Sequence, residues 1–252
     1  MERETKIKII GTGVFFIIIL TITFLIFQSN EIKEDLIIES VKISGNNLLS
    51  ENDYLAFVRL TGNQMNRDLT LSIIKSRFEK HPYVLKADVK FSNEKVVKVF
   101  LTEKRIYGVI IRNNETLFAA ENFRILPVFQ NTKMINIPVL SNIENSSDFK
   151  PLSKLDNDDI LQAYRIIDAS GLTNAKMLKD LAEINLRNGG DVVLTFSGLS
   201  FPVVFGRSNE AAKMVSLESL LNNYIADNTE SDYIDLRFYN DIYIGHIHSV
   251  EL

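Results

Sequence analysis

The 252-residue chain has no cysteine. That excludes a disulfide scaffold, thiolate metal sites, a cysteine nucleophile and lipid attachment through sulfur. Without cross-links, whatever folds here must be held by burial, so a sizeable core is required. Five prolines and eleven glycines leave little material for long disordered linkers. Positive charge is scarce, with 28 basic against 32 acidic residues and no basic stripe, so nothing points to nucleic acid. Only three histidines occur, His81, His246 and His248. Long hydrophobic runs are missing too, with one exception near the start.

That exception is the uncharged run Ile9–Phe27. Its nineteen residues, at about 1.5 Å each, give about 28 Å of helix, close to a hydrocarbon core of roughly 30 Å. A cleaved signal peptide would be shorter and end in small residues, whereas this run is bulky to its end (Phe24, Leu25, Ile26, Phe27). A buried core helix fits poorly because every face is apolar. We therefore read residues 9–27 as a transmembrane helix. Arg3, Lys6 and Lys8 precede it, while only Lys33 and Lys42 follow within fifteen residues, among acidic Glu31, Glu34, Asp35 and Glu39; the excess of basic residues before the run favours a cytoplasmic N-terminus. An eight-residue tail is too short to fold, so the bulk of the chain is expected to be extracytoplasmic. The matches to a glycosylation pattern at Asn114-Glu115-Thr116 and Asn145-Ser146-Ser147 are short enough to arise by chance.

Residues 28–38 read as a stalk. Ile37–Ile43 alternates like a strand, Gly45-Asn46-Asn47 is a turn, and Ser50 with Asp53 three places on forms a helix N-cap signature. The helix behind it would bury Tyr54, Leu55 and Val58, with Leu60 close by. A second helix fits about Asp68 to Glu79, with Leu71, Ile74 and Phe78 on one stripe, and Pro82 beyond its end. Val84–Phe91 and Lys95–Leu101 alternate as two strands. The order β-α-α-β-β is compact and self-consistent.

After Arg105 come many short strand-like pieces: Gly108–Ile111, Thr116–Ala119, Arg124–Pro127, Asp180–Leu186, Asp191–Phe196, Pro202–Phe205, Tyr233–Phe238 and Asp241–Ile247. Two helices interrupt them. One is Asn157–Ser170, ending before Gly171, and the other is Glu210–Tyr224, with Ser208 as a candidate cap. The expected class is α+β: a transmembrane helix, a β-α-α-β-β domain, then a mostly antiparallel β domain with helices on one face.

These segments resemble the bacterial division protein family FtsQ/DivIB, and the first module resembles a POTRA domain. The resemblance is carried by Val41-x-Ile43-x-Gly45-Asn46, Leu49-Ser50, His81-Pro82-Tyr83-Val84, Ala87-x-Val89 and Val99-x-Leu101-Thr102-Glu103-Lys104-Arg105. Ile137-Pro138-Val139-Leu140, Phe205-Gly206-Arg207 and Tyr233-Ile234-Asp235-Leu236-Arg237-Phe238 extend it almost to the end. The family usually has tryptophan where Tyr83 stands, and an aspartate-glycine turn where Ala120-Glu121-Asn122 stands. The layout it implies is a cytoplasmic tail 1–8, a membrane helix 9–27, a stalk 28–38, a POTRA-like domain 39–105 and an FtsQ-type β domain 106–252.

No catalytic constellation is visible: G-x-S-x-G, H-E-x-x-H and P-loop patterns are all missing. His246 and His248 would share one strand face, which is half a metal site without further ligands. The bland reading is two exposed histidines near a chain end; stoichiometric zinc there would revive an anchored enzyme. Asp158-Asp159 reads as an acidic first turn. No cofactor, metal or small-molecule substrate is expected, and the chain reads as non-enzymatic.

The resemblance implies a divisome scaffold in the cytoplasmic membrane at the septum, with its domains periplasmic. Its partners would be other single-span and polytopic division proteins (FtsB/FtsL-like, FtsW-like). The last strand, Asp241–Ser249, is the natural edge for strand addition by a partner segment. There Ile242 and Ile244 would face the core, while Tyr243 and Gly245 face outward, Gly245 allowing close backbone approach. By resemblance, contact positions fall on Phe238, Asn240 and Gly245; the bland reading makes Phe238 core and Asn240 a turn residue. The alternative function is a POTRA-containing envelope assembly or secretion factor. Such proteins carry repeated units or a barrel, and neither pattern is found here.

Overall fold

The computed structural model describes residues 13–24, 38–61, 69–93, 95–112, 115–223, 232–238 and 241–245. Residues 13–24 form a helix, α1, with every residue exposed, including Phe15, Leu20 and Phe24. It lies within the apolar run, whose two ends fall outside the described residues. Twelve helical residues extend about 18 Å, and among the described residues no helix is long and apolar enough to cross a membrane.

The first module keeps the expected order: β1 (Ser40–Ser44), α2 (Glu51–Phe57), α3 (Leu71–Glu79), β2 (Val84–Asn93) and β3 (Val96–Glu103). Ser50 and Asp53 cap α2 reciprocally: the Ser50 hydroxyl accepts from the Asp53 N–H, and the Asp53 carboxylate accepts from the Ser50 N–H. Thr70 caps α3 by accepting from the Ile73 N–H. The sheet order is β1-β3-β2, with β1 parallel and β2 antiparallel to β3. Inward-facing Val41, Ala87, Val97, Val99 and Leu101 pack with Tyr54, Ile74 and Phe78 of the helices. Gly45 turns the chain out of β1 at φ +80°, where a Cβ would sit 2.2 Å from the Leu101 carbonyl oxygen. Glu103 closes the same corner. Its carboxylate accepts from the N–H groups of Asn47 and Leu48 and from the Tyr54 hydroxyl.

The second sheet has nine strands: β4 (Ile106–Arg112), β5 (Glu115–Ala120), β6 (Arg124–Pro127), β7 (Val139–Ser141), β8 (Leu181–Asn185), β9 (Val193–Phe196), β10 (Val203–Val204), β11 (Tyr233–Asp235) and β12 (Tyr243–Gly245). Their order is β12-β11-β10-β9-β8-β7-β4-β5-β6. Five of the eight pairings are antiparallel; β4–β7, β7–β8 and β10–β11 are parallel. The mostly antiparallel reading therefore holds, with a parallel centre built around β7, a three-residue strand too short to show a period.

Helices α4 (Asp158–Thr173), α5 (Ala175–Asp180) and α6 (Glu210–Asn223) share one core with this sheet. Two expectations need correction. The first helix was expected to end before Gly171, yet α4 runs through it to Thr173; Gly171 has no positive φ, and a Cβ there would meet Leu178 Cδ2 at 3.2 Å. The strand expected from Asp180 begins at Leu181 because α5, which was not foreseen, occupies Ala175–Asp180.

The two cores meet at β5. Leu117 and Ala119 face the helices of the second core, while Phe118 and Ala120 join the core of the first module. Ile125 and Leu126 of β6 divide in the same way. Tyr83 fastens the contact from the other side: its hydroxyl donates to the Pro127 carbonyl at 3.0 Å and accepts from the Phe129 N–H at 3.2 Å. Beyond β5 the chain turns through left-handed Asn122 (φ 58°) and Phe123 (φ 53°), which sets the Phe123 ring 5.1 Å from Tyr164, stacked.

Candidate functional site

Strand edges are the places where an extended partner can pair, and the edges of the two sheets differ in what covers them. In the small sheet, β1 offers the Ile43 N–H to the Glu51 carboxylate at 2.9 Å, and β2 offers the Ala87 N–H to Glu79 at 3.3 Å. In the large sheet, β6 is covered by the returning segment 152–154. The Ile125 N–H donates to the Ser153 carbonyl at 3.0 Å, and the Leu152 N–H to the Ile125 carbonyl at 2.8 Å. Strand β12 ends the sheet order at the other side, and among the described residues nothing pairs with its outer side.

Strand β12 is held by β11 in the register Tyr233↔Gly245, Ile234↔Ile244 and Asp235↔Tyr243. Ile234 and Leu236 are buried, and Ile242 packs against the same core. The expected inward direction of Ile242 is thus found, and Tyr243 is 52% exposed. Phe238 is 50% exposed, so it is not core. Its ring meets that of Tyr243 edge-on, with centroids 4.6 Å apart. The structure thus joins Phe238 and Tyr243 into one exposed aromatic pair beside the terminal strand. Asn240 lies outside the described residues, as do His246 and His248. Among the described residues no three His, Asp or Glu side chains are grouped to hold a metal ion.

Gly245 has an intramolecular reason to be glycine. The Tyr233 ring lies across it, and a Cβ there would sit 2.0 Å from a ring carbon. Its side-chain space is therefore filled from the neighbouring strand.

A groove of ≈ 450 Å³ opens beside the aromatic pair, between the start of α6 and the β11–β12 connection. Asn209, Lys213, Leu236, Phe238 and Ile242 are among its lining residues. Arg237, at its rim, bridges Asp235 at 2.6 Å and Asp191 at 2.8 Å. The Arg237 hydrogen bonds hold the Asp235 carboxyl below the usual carboxylate range. Burial lowers the Lys213 ammonium, which donates to the Phe205 carbonyl at 2.8 Å. The α6 wall of this groove was not read from the sequence. The only local signal was Phe205-Gly206-Arg207 ahead of the helix, and its arginine serves the fold. Arg207 pairs with buried Asp159 at 2.5 Å and donates to the carbonyls of Gly190 and Leu186. The groove is mixed in character: Ala212, Leu236, Phe238 and Ile242 give it apolar wall, while Ser208, Asn209, Lys213, Ser216, Arg237 and Asp241 give it polar wall.

No family model matches the chain. A curated protein from Syntrophotalea carbinolica, the cell division protein FtsQ, is 21% identical over 204 residues, covering 79% of this chain and 70% of its own length. At that distance the likeness supports an FtsQ-like relationship and a role in cell division in general terms.

Proposed function

We propose that this chain is a non-enzymatic division scaffold of the FtsQ/DivIB type. Its run 9–27 anchors it in the cytoplasmic membrane, a POTRA-like module (39–105) follows a stalk, and the β domain (106–252) captures other division proteins at the septum. Capture proceeds by strand addition to β12. An extended segment of an FtsB/FtsL-like single-span partner pairs with the strand's outer side, and its apolar side chains settle on Phe238 and Tyr243 and into the adjoining groove. FtsW-like polytopic partners are recruited in the same assembly.

The observation that carries this reading is the contrast between edges. Three are blunted by carboxylates or a returning segment, while β12 has an exposed aromatic pair and a groove beside it. The likeness to FtsQ supports the division role. The test is the double variant Phe238→Glu, Tyr243→Glu. Both side chains are half exposed, so stability should change by less than about 1 kcal/mol. Recovery of the FtsB/FtsL-like partner and the septal focus of a fluorescent fusion should both be lost. Unchanged recovery refutes the edge; a fusion spread evenly over the envelope refutes the division role.

A further inference from the structure

Among the described residues nothing covers the outer face of the small sheet, since both helices lie on its inner side. The register places Lys42 opposite Lys98, and Lys98 opposite Lys90, so three lysines form one row across three strands. Neighbouring strands are about 4.8 Å apart, so the row is tight, and like charges directly opposite each other are destabilising. All three are exposed, and none has a carboxylate within ion-pair distance among the described residues. The next row is Ser44, Phe100 and Asp88, with Phe100 54% exposed. Asp88 is taken by Lys86 on the same strand at 2.9 Å. Four lysines against one aspartate leave this face three charges positive on a chain of net charge −4.

We propose that this face is a docking surface for the anionic phospholipid headgroups of the bilayer that anchors the chain. The proposal rests on the membrane-anchored reading given above. Three exposed ammonium groups in a line suit a layer of phosphates, and Phe100 beside them suits the boundary between headgroups and acyl chains. Reach is no obstacle: fifteen residues, 25–39, lie between Phe24 of α1 and Ser40, at most about 55 Å of chain. The apolar side chains of α1 are exposed, so a bilayer that covers them is tethered within reach of the lysine row. An acidic protein segment has the complementary charge but not this tether. Docking lays the module flat on the membrane, which fixes the direction in which the second sheet, packed on it through Phe118 and Leu126, presents β12.

The cysteine-free chain allows a clean test. A single cysteine at Ser44 (Ser44→Cys), on the face, or at Ser76 (Ser76→Cys), on the solvent side of α3, carries a fluorophore. The full chain is reconstituted in vesicles of pure phosphatidylcholine, or of phosphatidylcholine with a third phosphatidylglycerol. A fraction of the headgroups carries a nitroxide quencher. Quenching at residue 44 is expected only in the anionic vesicles, fading at high salt, with residue 76 unquenched throughout. Combining Lys42→Gln, Lys90→Gln and Lys98→Gln should lower the docked-to-free ratio on the order of a hundredfold, taking about fivefold per lysine. The same variant should melt no lower than the parent, because the like-charge row is gone. A chain that floats with the vesicles yet gives equal quenching at residue 44 in both lipids overturns the proposal alone. A chain that floats with neither overturns the anchored reading together with it. If the three-lysine variant loses recovery of a division partner while lipid quenching is unchanged, the face serves an acidic protein instead and the lipid proposal fails.

Discussion

His81 is 2% exposed, at the centre of an aromatic cage formed by Tyr54, Phe57, Tyr83 and Phe129, with ring centroids 4.4 to 5.4 Å away. Its Nδ1 accepts the Tyr83 N–H at 3.1 Å, which requires that nitrogen to be unprotonated. Burial, helped by the Lys104 charge, pushes the imidazole down to about 4 from its ordinary 6.5. The unfolded chain therefore binds this proton more readily than the native one between pH 6.5 and 4. The stability contributed by neutral His81 is full above pH 6.5 and is lost as pH falls toward 4. At 1.36 kcal/mol per unit, the loss is about 3 kcal/mol; cation–π attraction from the cage would trim it to about 2–3 kcal/mol. The comparison is with His81→Asn, whose amide oxygen can still accept the Tyr83 N–H but does not titrate. Denaturant unfolding is followed from pH 7.5 to 4. The difference between the two proteins should shrink or reverse by about 1 kcal/mol per pH unit below 6.5, while shared carboxylate titrations cancel. Parallel curves for the two proteins over this range would refute a buried neutral histidine.

Arg207→Ala should cost about 3 kcal/mol in unfolding free energy, because it strands the 2%-exposed Asp159 carboxylate with only the Glu144 N–H as partner. Adding Asp159→Asn should restore part of that loss, and an additive double variant would contradict the pairing. Gly245→Ala should destabilise by about 1 kcal/mol, since the Tyr233 ring must swing aside. In a Tyr233→Ala background the same change should be close to neutral in a thermal melt, and an equal cost in both backgrounds would show that the ring is not the obstacle.

Much of the first module was legible because its signals are local. The Ser50–Asp53 capping pair, the stripe through Ile74 and Phe78, and the alternation through Ala87, Val97, Val99 and Leu101 each lie within one element, and the structure has them all. The second sheet was harder. Strand β7 has three residues and α5 has six, both below the length at which a period declares itself. Gly171 looked like a stop because glycine usually marks a helix end; here it has no positive φ, and α4 continues through it to Thr173. The candidate site divided in the same way. Position on the last strand predicted exposed Tyr243 and inward Ile242, but nothing near Gly245 in sequence announces the Tyr233 ring that fills its space.

The sequence by itself determined what depends on near neighbours: the apolar run 9–27, the caps, the inward faces of the first module, and the need for burial in a chain without cysteine. Tertiary structure decided what depends on pairing between distant segments. It buried both faces of β5 from Leu117 to Ala120 by placing the strand between two cores, covered the edge of β6 with residues 152–154, and left β12 at the end of the order. It also set Lys42, Lys90 and Lys98 in one row, though two of them stand 48 and 56 residues from the first. The physical reason is that a strand's own residues fix its two faces, whereas its register and its free edge are fixed only by the strands that come to lie beside it.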